Sequence, residues 1–76
     1  MTKTTGEYRV GIDFNPSADD LVGRIKRQAA DLIDLISTVQ DGEDFAPERK
    51  RLKALAMTAV EDGAMWGVKA ATKPPA

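Results

Sequence analysis

Tyr8, the basic trio Arg24, Lys26 and Arg27, and the basic run Arg49, Lys50, Arg51 and Lys53 are the side chains here with recognition chemistry to offer. A tyrosine face can stack on a nucleobase, and its hydroxyl can hydrogen-bond. Lysine acts toward phosphate as a point charge, arginine as a planar fork. Each group also has a plainer use. Tyr8 can pack on a neighbouring helix. The first cluster can pair with Glu61 and Asp62, and the second with Asp31 and Asp34, as solvated ion pairs worth little. Groups suited to catalysis are scarcer. With no histidine and no cysteine, the usual zinc and haem ligands, the thiol nucleophile and any Ser-His-Asp arrangement are excluded. Asp19-Asp20 and Glu61-Asp62 are adjacent in sequence, and adjacent residues do not share a helix face. No convergent carboxylate cluster is evident for Mg²⁺, so a small phosphodiesterase is poorly supported. No catalytic residue, metal or cofactor is expected.

Composition narrows the partners. A formal charge of −1 and a pI near 5.3 give no bulk attraction for nucleic acid or an anionic membrane. Neither basic cluster is interleaved with the aromatics of a single-strand track. DNA, RNA and membrane are therefore not expected partners. The opening Met-Thr-Lys-Thr-Thr-Gly has no apolar signal region, and no apolar run approaches membrane-spanning length. The expected compartment is the cytosol.

The elements that must position these groups fall into three parts: an arm over 1–17, a helical domain over 18–72 and a tail over 73–76. In the arm, Tyr8, Val10, Ile12 and Phe14 are apolar at every second position, which predicts an extended segment with one face down. A first helix is predicted from about Ala18 to Gln40, with Ser17 as N-cap and Asp19 and Asp20 at the positive end of the dipole. Its seam is Val22, Ile25, Ala29, Leu32, Ile36 and Val39, a heptad-like spacing. Asp41-Gly42-Glu43-Asp44 supplies a turn, with Gly42 suited to the helix C-terminus. A second helix begins near Pro47 and ends before Pro74-Pro75. The short turn makes the pair an antiparallel hairpin. The fold class is all-α.

Residues 54–68 carry charge only at Glu61 and Asp62. Leu52, Leu55, Ala59 and Trp66 make a face of large residues, with Trp66 expected in the core. Ala56, Val60, Gly63, Gly67 and Ala70 make a face of small ones. Two glycines four apart inside a helix cost stability and point to close approach by another helix. A helix apolar or small on nearly every side is buried, and 76 residues cannot surround one. A homo-oligomer is the expectation, with any function between subunits.

The ending Leu55-Ala-Met-Thr58-Ala-Val-Glu61-Asp-Gly63-Ala-Met65-Trp66-Gly-Val-Lys69-Ala70 resembles the helical-hairpin domain of phage anti-CBASS cyclic-nucleotide sponges. A related hairpin occurs in anti-Thoeris sponges. The pairs Tyr8-Arg9 and Ile25-Lys26 fit the same pattern upstream, so the resemblance covers most of residues 8–72. It implies a compact homohexamer that sequesters cyclic dinucleotides between protomers without cleavage, with cyclic trinucleotides at separate sites in some members. Carried over, Tyr8 would stack on a purine and Lys26 would meet a phosphate. Thr58 matches a threonine near the second site. Many relatives have arginine just before it, where this chain has Met57, a departure that weighs against trinucleotide binding. Arg9 and Arg24 are helpers on charge grounds. The rival expectation is an oligomeric structural or regulatory interaction module with no nucleotide ligand.

Overall fold

The computed structural model describes residues 2–42, 44 and 46–75. Its elements are α1 (Thr5–Val10), α2 (Asp20–Ser37) and α3 (Ala46–Thr72), with no strand among the described residues. α2 and α3 form the expected hairpin, and α1 lies against α2 and reaches α3. Glu43, part of the expected turn, lies outside the described residues.

The first correction concerns the arm, which is helical over Thr5–Val10 rather than extended. Local chemistry explains why. Thr4 caps the N-terminus by accepting from the Glu7 N–H, while the Glu7 carboxylate accepts from the Thr4 N–H at 2.9 Å, a reciprocal capping box. At the other end Gly11 adopts φ 64°. There the Ile12 N–H reaches Glu7 O and the Gly11 N–H reaches Tyr8 O, the Schellman pair that closes a helix. The alternating apolar residues do not share one buried face: Tyr8 and Phe14 are exposed, while Val10 and Ile12 are half-buried.

α2 starts later than expected. Asp19, not Ser17, is its N-cap, accepting from the Leu21 N–H. Ala18 has a positive φ of 54° and so stands outside any right-handed helix. Ser17 instead donates to Asn15 Oδ1, and Asn15 Nδ2 donates to Asp19 O, so these side chains shape the turn that precedes the helix. α2 also ends early, at Ser37, with Thr38 as C-cap. Gly42, at φ 78°, bends the connecting segment beyond the cap rather than terminating the helix. α3 begins at Ala46, one residue before Pro47, close to the predicted start.

The buried line on α2 is also rotated from the predicted seam. Val22, Lys26, Ala30 and Ile33 are buried, whereas Leu32 and Val39 are exposed. α2 has α3 on one side and α1 on another, so the most enclosed line runs between the two contacts. The two predicted faces of α3 fare differently. Ala56, Val60 and Gly67 turn partly inward, but Gly63 and Ala70 are exposed. Leu52, Leu55, Met65 and Trp66 face outward, and Trp66 is 62% exposed rather than in the core. A Cβ on Gly67 would meet Ile25 at 3.5 Å, while one on Gly63 would meet nothing within 4 Å.

The shape accounts for this exposure. The molecule measures 51 × 33 × 12 Å, and its thin dimension is about the diameter of one helix with side chains. Its radius of gyration is 14.4 Å, against about 11 Å for a compact chain of this length. One layer of helices cannot cover both of its own faces.

Candidate functional site

α1 is fastened to the hairpin at both ends. At the N-terminal end Gly6 is buried against Ala30, where an added Cβ would lie 2.1 Å from the Ala30 carbonyl oxygen. The Gly6 N–H donates to Asp34 Oδ1 at 2.7 Å. Beside it, Arg27 donates to Glu7 at 2.8 Å and to Asp31 at 2.7 Å. The Thr4 N–H first and Arg27 second hold the Glu7 carboxyl below its ordinary range. The two carboxylates, Glu7 foremost, raise Arg27 above its own. Of the first basic cluster, Arg27 therefore pairs with Glu7 and Asp31 rather than with Glu61 or Asp62.

At the C-terminal end, Arg9 reaches across to α3. Its Nε donates to Glu61 Oε1 at 2.6 Å and its Nη2 to Thr58 Oγ1 at 2.9 Å. Thr58 is thus tied to the helix that carries Tyr8, a link that residue types alone do not reveal. The second basic cluster also departs from expectation. Lys53 pairs with Asp41 at 3.5 Å and Arg51 with Glu48 at 2.5 Å, while Arg49 donates to Gln40 O. Asp31 and Asp34 are held by Arg27 and by the Gly6 N–H instead.

Lys26 is the one buried charge among the described residues, at 7% exposure. Its ammonium donates to Gly11 O at 3.0 Å and to Phe14 O, and it sits 5.5 Å from the centre of the Phe14 ring. Burying an ammonium is costly unless its protons find acceptors. Two carbonyls and the ring face supply that compensation. An ammonium has three donors, so one remains beyond the two carbonyls. Lys26 lines a cavity of about 370 Å³ with Val10, Glu61, Met65, Lys69 and Thr72.

Tyr8 differs in exposure. It is 79% exposed and borders a shallow depression with Lys3, Glu7 and Phe14. The depression and the Lys26 cavity share no residue. One chain thus presents an exposed aromatic face and a recessed cation, and the Gly11 and Phe14 that hold the cation also border the Tyr8 depression. Among the described residues no group of three or more acidic side chains gathers to hold a metal ion. No helix there is long and apolar enough to cross a membrane.

The sequence matches the Acb2/Tad1 hairpin domain across residues 7–72. The chain belongs to that family. In the Acb2/Tad1 family the hairpin domain is that of the anti-CBASS and anti-Thoeris sponges, whose role is to bind cyclic nucleotides. The match takes in α1 from Glu7 onward and all of α2 and α3. It therefore includes Tyr8, Lys26 and Thr58. Neither the curated proteins nor the solved structures contain a match to the chain.

Proposed function

We propose that this protein captures cyclic dinucleotides such as cyclic GMP–AMP in the cytoplasm of an infected bacterium and withholds them, uncleaved, from CBASS anti-phage signalling. The observation that carries the reading is the Acb2/Tad1 hairpin match over residues 7–72. The geometry supports it in two ways. Tyr8 offers an open ring face for a purine, and Lys26 keeps one N–H donor for a phosphate. The family resemblance implies a pocket between protomers, to which two copies would each bring a Tyr8 and a Lys26.

That arrangement requires assembly, and the exposed row Leu52, Leu55, Met65 and Trp66 provides apolar surface for it. Six copies is the number that the family resemblance implies. A two-fold interface would match the approximate two-fold symmetry of a cyclic dinucleotide. The ligand is a rigid ring, so little of its freedom is lost on capture. Thr58 borders a second site only if Arg9 shares its hydroxyl with a ligand, and Met57 leaves that site without the usual arginine. A cyclic trinucleotide is accordingly the weaker ligand.

The experiment is capture and release with cyclic GMP–AMP, the filtrate being assayed before and after heat denaturation of the protein. Ligand that leaves the filtrate and returns intact supports a sponge. Tyr8→Ala should abolish capture while leaving the assembly intact. If wild-type protein leaves the ligand in the filtrate, this specificity fails, and an interaction module built on the exposed apolar row becomes the better reading.

A further inference from the structure

We infer that Lys69 is a second cation of the dinucleotide site, sharing with Lys26 a phosphate received in the cavity between the end of α1 and the C-terminal half of α3. The inference rests on the reading above and adds to it a residue and the wall that presents it. Glu61, Met65, Lys69 and Thr72 are spaced four, four and three along α3, so they form one stripe on the helix. That stripe borders the cavity of about 370 Å³ whose lining also includes Val10 and Lys26.

The charges there do not cancel. Glu61 is the only carboxylate in the lining, and Arg9 already holds it at 2.6 Å. The Thr72 hydroxyl donates to Val68 O on its own helix. No ion pair among the described residues engages Lys26 or Lys69. What remains in the lining is the two lysines, beside apolar walls of Val10, Ala64 and Val68.

Position favours a shared anion. Lys26 is buried, bound to two carbonyls, and its side chain borders this cavity. Lys69 stands at the rim with its ammonium 5.5 Å from the centre of the Trp66 ring, a cation–π contact that orients the chain. A deep point charge and a rim point charge suit a phosphodiester attached to a less polar ring. The volume lies within the range of small-molecule pockets. It takes part of a cyclic dinucleotide, leaving the bases to Tyr8.

The test measures cyclic GMP–AMP binding to the full chain at low and high salt, for wild type, Lys69→Met and Lys69→Arg. Lys69→Met keeps the apolar stem and should weaken binding by roughly tenfold to a hundredfold, as for a lost charge-assisted contact. It should also flatten the salt dependence, while light scattering shows an unchanged assembly. Lys69→Arg should restore most of the affinity. Wild-type affinity and salt dependence in Lys69→Met would overturn the role of Lys69 and leave sequestration standing. Loss of assembly in Lys69→Met that Lys69→Arg does not repair would also overturn it, because the residue would then be structural. Wild-type protein that retains no ligand overturns both readings.

Discussion

α1 and the outer face of α3 have opposite characters. α1 is six residues long, too short to persist alone, yet each end is fixed by named polar contacts. α3 has 27 residues and a row of large apolar side chains left exposed. The short element is fixed within one chain, and the long one keeps an exposed apolar row. Where the molecule displays its candidate ligand-binding aromatic, it has specified the position internally. Where it displays bulk hydrophobicity, the single chain supplies no cover among its described residues.

The contrast can be broken first at Gly6. A methyl group there would collide with the Ala30 backbone, which has no flexible end to swing aside. Gly6→Ala should cost roughly 1–3 kcal/mol as an overpacking change, with each kcal/mol lowering Tm by about 4–8 °C in a domain of this size. α1 should detach and capture should fall with it. An unchanged melting curve would show that α1 is not docked through this contact.

Gly63 sharpens the other half. Within one chain its Cβ would enter open space, so Gly63→Ala should raise stability by up to about 1 kcal/mol from helix propensity alone. Against a closely packed neighbouring subunit the same methyl would weaken assembly. Chemical denaturation read beside sedimentation separates the two, and stabilisation with intact assembly would place the close helix contact away from Gly63.

The smallest effect is acid sensitivity at Glu7. Its folded-state pKa is depressed, chiefly by the Thr4 N–H and then by Arg27. The linked stability is therefore fully present above the unfolded value near 4.5 and is lost as pH falls through the lower folded value. Far-ultraviolet dichroism should hold steady from neutrality to about pH 5 and then lose a small helical contribution. Glu7→Gln should remove that acid step, and an identical step in the variant would assign it to other carboxylates.

The hairpin was legible because long helices repeat their period many times. α2 and α3 follow from residues spaced three and four apart, with Asp19-Asp20 and Pro47 near their starts. The seven residues from Tyr8 to Phe14 are too few to separate a period of two from a period near four. The decisive marks flanked that window: Thr4 and Glu7 in capping-box spacing, then Gly11. Lys26 could be singled out by its type but not by its place, since lysine is seldom buried. The Arg9 bridge to Thr58 and Glu61 joins residues about fifty apart, and no local pattern records such a meeting. Trp66 was misplaced because an apolar helix shows that cover is needed but not which chain provides it.

The 12 Å thickness also bears on how the protein keeps its backbone amides from exchanging with solvent. A slab one helix deep has scarcely any interior in which an amide can be sheltered by distance from water. If copies of the chain cover one another as proposed, protein concentration becomes a folding variable, since anything that binds the native form alone stabilises it by mass action. Slow hydrogen exchange in α3 should then be a property of the concentrated protein, and simple dilution should speed it.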